Sequence, residues 1–141
     1  MNGFAVQRID HVMLRVRDLQ RSEAFYRDVL GCVAVRRRDD LGLLHLRAGA
    51  SMIDLVSVHG VLGARGGAAA GEGARNMDHL CLRIEPFDEA ALTAHLHRHG
   101  VEPLGPASVN FGAEGDGESV YLRDPDGNVI ELKGPALPAQ P

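Results

Sequence analysis

The stretch Ile9-Asp10-His11-Val12-Met13-Leu14-Arg15-Val16 returns, lightly edited, as Met77-Asp78-His79-Leu80-Cys81-Leu82-Arg83-Ile84. An apolar residue, Asp, His, and then alternation with Arg at the seventh place is a strand's worth of pattern. The copies stand about half a chain apart, which points to duplication of a unit that carries a histidine each time. Such a repeat directs attention to one shared site. In the first copy Asp10, Val12, Leu14 and Val16 share one face, and Ile9, His11, Met13 and Arg15 share the other. The first face suits packing on a helix; the second, mixed in character, suits a cavity wall.

The residues after each copy repeat one order of elements. Asp18 is placed to cap a helix that Gly31 closes, with Ala24, Phe25, Val29 and Leu30 as its buried stripe. Strands are expected over residues 33–38, 43–47 and 51–58. Residues 60–75 are rich in Gly and Ala without periodicity and read as a flexible connector. Gly71-Glu72-Gly73 is no phosphate loop, since no Lys-Ser or Lys-Thr pair follows it. In the second half a helix is expected over 87–99, ended by Gly100, with strands near 101–104, 119–123 and 129–133. The Gly-rich stretch 110–118 reads as a lid or pocket rim. The expected organisation is a single 1–141 domain: module one at about 5–59, the connector, module two at about 76–134, and a frayed tail at 135–141. Its class is α+β, with two paired βαβββ modules whose mixed sheets form a trough.

At 141 residues, 45% hydrophobic and 24% charged, the chain has globular composition. A net charge of −4 argues against nucleic acid as a partner, because phosphate binding wants a basic surface. Arg36-Arg37-Arg38 is answered at once by Asp39-Asp40 and reads as a solvated strand end. No apolar run approaches the roughly 20 residues that span a bilayer, and the N-terminus lacks a signal-peptide pattern. Cys32 and Cys81 read as reduced thiols of a cytoplasmic protein rather than a disulfide framework.

Superposing the halves pairs His11 with His79 and Asp54 with Glu131. Two imidazoles and two carboxylates at matching places suit one divalent ion: Fe or Mn where one carboxylate binds, Ni, Zn or Co where both do. A strand histidine after Asp is by itself often structural, and repetition is what raises the case. His45 and Arg47 are expected on the same face, where they reach substrate or solvent. His95, His97 and His99 resemble a metal tract but read first as surface residues, with His95 and His99 neighbours on a helix. Asp124-Pro125-Asp126-Gly127 fails the spacing of a calcium loop. A tight turn delivering Glu131 is the simpler account.

These motifs resemble the vicinal oxygen chelate superfamily, which includes glyoxalase I, extradiol dioxygenases, and fosfomycin and bleomycin resistance proteins. The carriers are Asp10-His11-Val12-Met13-Leu14, Asp18-Leu19-Gln20-Arg21-Ser22, Phe25-Tyr26, Val29-Leu30-Gly31, Asp78-His79, and Asp124-Pro125-Asp126-Gly127-Asn128-Val129-Ile130-Glu131-Leu132. The resemblance spans both halves and implies paired βαβββ modules, a divalent ion in the trough, and a homodimer. The N-terminal segment is most similar to bacterial glyoxalase I. That likeness gives Arg15 a substrate-binding role and Asp54 the place of a metal-binding Glu. Val58 stands where glyoxalase I has a glutathione-contacting Asn. Tyr121 precedes Glu131 at the spacing of an active-site Tyr in extradiol dioxygenases.

The leading expectation is a metal-dependent glyoxalase-like lyase or isomerase. Its small-molecule substrate presents vicinal oxygens and reacts through an enediolate, with Glu131 or Asp54 taking a proton from carbon. The rivals are an extradiol-type dioxygenase and a metal-free module that sequesters a drug.

Overall fold

The computed structural model describes residues 3–138, which divide into two compact units at residues 69 and 70. In the first unit β1 (His11–Val16) leads to helix α1 (Leu19–Ala24), then β2 (Val33–Arg38), β3 (Leu43–Ala48) and β4 (Ser51–Ser57). In the second, β5 (Leu80–Arg83) leads to α2 (Glu89–Arg98), then β6 (Ser108–Gly112), β7 (Gly115–Arg123) and β8 (Val129–Ala136). Each unit is therefore βαβββ, and each sheet is mixed. The strand order is β1-β4-β3-β2 in one and β5-β8-β7-β6 in the other, with β1 parallel to β4 and β5 parallel to β8. The architecture is α+β, as the repeat implied. No helix among the described residues is long and apolar enough to cross a membrane.

Alternation decides which face each strand buries. In the first unit Leu14, Val16, Leu44, Leu46, Ile53 and Leu55 lie on one face, all buried, and α1 packs against β4. Burying each such aliphatic side chain contributes about 1.5–3 kcal/mol. Asp18 caps α1, its Oδ1 accepting the Arg21 N–H at 3.0 Å. The helix continues through a wider π turn over Phe25–Val29, which turns Phe25, Tyr26 and Val29 inward before Gly31 ends it at φ +74°. In the second unit Leu96 of α2 is buried, as are Val120, Leu122, Ile130 and Leu132 of β7 and β8. Asp88 caps α2 through a 3.0 Å bond from the Ala91 N–H.

Two expectations fail here. Residues 101–104 form no strand, although the Leu104 N–H donates to the Tyr121 carbonyl at 2.8 Å. The stretch expected as a lid over 110–118 is instead most of the β6–β7 hairpin, paired from Ser108 with Ser119 to Gly112 with Gly115. Gly115 supplies the turn at φ +110°, and the other two glycines are there for packing. A Cβ at Gly112 would lie 2.9 Å from Lys133 Cε, and one at Gly117 would lie 2.7 Å from Lys133 Nζ. The Lys133 side chain, only 5% exposed, crosses these positions to donate to the Gly115 carbonyl at 3.0 Å.

Residues 60–69 also have structure of their own. A 3-10 turn spans Gly63–Gly66, and Arg15 from β1 binds the carbonyls around it. Its Nε and Nη2 donate to Gly63 O at 3.0 and 2.8 Å, Nη2 also to Gly67 O, and Nη1 to Ala68 O. A Cβ at Gly63 would overlap the Ser57 carbonyl, and one at Gly66 the Arg15 guanidinium. Gly63→Ala is therefore expected to destabilise the protein by about 1–3 kcal/mol, read as a lower urea midpoint, whereas Gly73→Ala, which meets nothing within 4 Å, leaves the midpoint unchanged.

Candidate metal centre

The face opposite each core carries the chemistry. In the first unit the register sets Met13 beside Asp54 and Asp54 beside His45, with His11 two residues before Met13 on the same face. In the second it sets Cys81 beside Glu131 and Glu131 beside Tyr121, with His79 just before the paired part of β5. Asp54 and Glu131 sit on the inner strands β4 and β8, and each is only 4% exposed.

Each unit holds its histidine in the same way. His11 Nδ1 is 2.7 Å from Asp10 Oδ1, and its Nε2 is 3.9 Å from Asp54 Oδ2. His79 Nδ1 is 2.6 Å from Asp78 Oδ2, and its Nε2 is 3.4 Å from Glu131 Oε1. The exposed aspartate fixes the proton on Nδ1 and leaves Nε2 to face the buried carboxylate. Metal-binding histidines are oriented by this kind of outer carboxylate. The hydrogen bond from His11 holds the Asp10 carboxyl below its ordinary range, and that from His79 does the same for Asp78. His11 is in turn pushed up, first by the bond to Asp10 and then by the charge of Asp54.

The surroundings of the two carboxylates differ. His45 Nδ1 stands 2.9 Å from Asp54 Oδ1, but it is not aligned to donate, so this buried oxygen has no hydrogen bond. Glu131 Oε1 instead accepts the Tyr121 hydroxyl at 2.7 Å. That bond, followed by burial, pushes the Tyr121 phenol up to about 12, so it remains a donor. The His79 and Tyr121 rings meet edge to face, their centroids 5.8 Å apart. Burial first, and the charge and hydrogen bond of Glu131 next, push the Cys81 thiol up to about 12.

The structure thus brings together His11, His45 and Asp54 in one unit, and His79, Tyr121 and Glu131 in the other. Arg47 is exposed on the same face as His45. Arg15, expected at substrate, has its guanidinium on the carbonyls of Gly63, Gly67 and Ala68. Sequence reasoning missed the hydrogen bonds of Asp10 and Asp78 to their histidines and the contact of Cys81 with Glu131. The doubled Asp-His pair was signal enough for the first, and the alternation that placed Cys81 on the His79 face for the second. Val58 is buried.

Nitrogen and carboxylate donors with outer-shell support fit a divalent ion. Among the described residues, no three His, Cys, Asp or Glu of either unit enclose an ion by themselves. Each unit offers a pair, and three or four donors are the usual protein complement. The Glu131 turn is built for delivery. Asp124 Oδ1 accepts the N–H groups of Asp126 and Asn128 at 2.9 and 2.8 Å, and Asn128 Oδ1 accepts from Asn76 Nδ2 at 3.0 Å. Gly127 takes φ +82° within it.

The family model for the Glyoxalase/Bleomycin resistance protein/Dioxygenase superfamily matches residues 8–132. Virulence protein STM3117 of Salmonella typhimurium is 28% identical over 127 residues, covering 90% of this chain and 83% of that protein. Its crystal structure aligns with TM-score 0.76 at 27% identity, over 94% of this chain and 100% of that one. The integron cassette protein VCH_CASS1 of V. cholerae gives TM-score 0.76 at 27% identity, over 94% and 98%. Lactoylglutathione lyase of Agrobacterium tumefaciens shares the fold, with TM-score 0.66 at 23% identity over 92% and 94%.

Thiol chemistry probes the Glu131 environment directly. With its thiol at about 12, Cys81 should alkylate with iodoacetamide at pH 8 roughly one to two orders of magnitude slower than free cysteine, because the small thiolate fraction outweighs its greater nucleophilicity. Glu131→Gln removes the nearby charge, so peptide mass spectrometry should show faster Cys81 labelling in that variant.

Proposed function

Because the chain belongs to the glyoxalase/bleomycin resistance protein/dioxygenase superfamily, we propose that it is a divalent-metal-dependent, glyoxalase-like lyase or isomerase acting on a small substrate with vicinal oxygens. The observation that carries this reading is the Asp-His-carboxylate chain present in both units, Asp10-His11-Asp54 and Asp78-His79-Glu131. His11, His79, Asp54 and Glu131 are the proposed ligands. When bound, the ion supplies Lewis acidity toward the two substrate oxygens.

The chain's own residues do the rest. Asp10 and Asp78 keep Nδ1 of each histidine protonated and Nε2 directed at the ligand position. Glu131, buried and therefore poorly solvated, takes the proton from the substrate carbon at a carboxylate oxygen. The Tyr121 hydroxyl on Oε1 fixes its orientation. Asp54 is the matching acceptor of the other unit. Arg47 and His45 meet an anionic or polar arm of the substrate, and Arg15 holds residues 63–68 beside that face. Val58, buried and apolar, offers no amide to glutathione, so the reading favours a substrate carried by another group or by none.

The purified full-length protein should hold about one divalent ion per chain, and His11→Ala and Glu131→Gln should each lower metal content at least about tenfold by elemental analysis. Sub-stoichiometric metal that neither variant changes overturns the proposal. The Tyr121–Glu131 bond favours one second reading, an Fe(II)-dependent ring-cleaving dioxygenase. Oxygen uptake with catechols after anaerobic Fe(II) loading would select it over the first.

A further inference from the structure

The C-terminal end of α2 gathers His95 and His97 in its last turn and His99 as its cap residue, none of which the proposed reaction uses. His99 leaves the helical conformation, with φ −102° and ψ 12°, yet its ring still meets that of His95. Their ring centroids are 4.8 Å apart and the rings are inclined at 56°. With metal–imidazole bonds of about 2.0–2.1 Å and near-tetrahedral angles, two imidazole centroids on one ion stand about 5 Å apart, which matches the separation of these two rings, the nitrogens being free to turn about χ2 toward a shared ion. His97 points elsewhere, its Nε2 2.9 Å from Glu102 Oε2. The helix closes at Gly100 with φ +71°, and its C-terminal end carries the negative pole of the backbone dipoles, which favours a cation there.

We propose that His95 and His99 form a two-histidine clasp for a late first-row divalent cation, which cross-links the final turn of α2. Two protein donors leave the remaining positions to water or to outside groups. Affinity should follow the Irving–Williams order, with Cu(II) above Zn(II) and Mg(II) excluded by the nitrogen donors. The clasp is independent of the His11, Asp54, His79 and Glu131 set.

Zn(II) titration of the full-length protein, followed through assigned imidazole NMR signals, tests it. His95 and His99 should shift together in one event that His97 does not share. His95→Gln or His99→Gln should weaken that event about tenfold or more, while His97→Gln leaves it within about twofold and all three leave the responses of His11 and His79 intact. The clasp is overturned if the His95 and His99 signals stay still at Zn(II) concentrations that move His11 and His79. It is equally overturned if His97→Gln weakens the event as much as the other two variants do. A Zn(II)-dependent rise in Tm that His99→Gln lowers and His97→Gln preserves would support the same conclusion through stability, since a ligand of the folded state raises Tm.

Discussion

A carboxylate set on an inner strand loses its water, and the strands beside it must supply the replacement. Asp54 on β4 and Glu131 on β8 impose this demand on the two units, and their other features of the site follow from it. In each case the neighbouring parallel strand brings a histidine whose Nε2 turns toward the acid, and the antiparallel neighbour brings a second polar ring, His45 or Tyr121. An unpaired buried charge would cost several kcal/mol. The exposed aspartates at the start of each repeat answer part of that cost at a distance, by fixing the proton on Nδ1 of the histidine.

The repeat makes the two centres alike, and single residues distinguish them. His45 and Tyr121 occupy corresponding places, each across the ladder from the buried acid, yet they treat it differently. The tyrosine is a donor throughout the physiological range and locks one oxygen of Glu131. The histidine stands near Asp54 without satisfying it. Met13 and Cys81 are matched in the same way, one a thioether and the other a thiol on an exposed residue, whose sulfur is kept protonated by local desolvation and then by the charge of Glu131. The chemistry of the two acids is accordingly unequal: Glu131 is oriented, and Asp54 is poised.

Much of this was legible in the sequence because strand alternation is a strict rule. Once His11 and His79 were placed on a face, the sides of Met13, Cys81, Asp54 and Glu131 followed, and the ladders agree. The caps at Asp18 and the turn before Glu131 were legible for the same local reason. What escaped notice depends on partners distant in the chain. Gly112 and Gly117 look like loop residues, but their missing side chains make room for Lys133. Gly63 and Gly66 look like a linker, but they admit the Ser57 carbonyl and the Arg15 guanidinium. Composition registers glycine as freedom; here it is close approach. Arg15 was misplaced for the complementary reason, since its pattern identified its face but not the carbonyls waiting there.

The oxygen Oδ1 of Asp54 bears most directly on function. It is buried without a hydrogen bond, a situation that costs about 1–3 kcal/mol for a polar group and more for a charged one. An apolar residue beside Val56, which shares this face and is buried, would avoid that cost. The oxygen without a bond is Oδ1, beside His45, whereas His11 Nε2 stands 3.9 Å from the other oxygen, Oδ2, so the two histidines approach different oxygens of one acid.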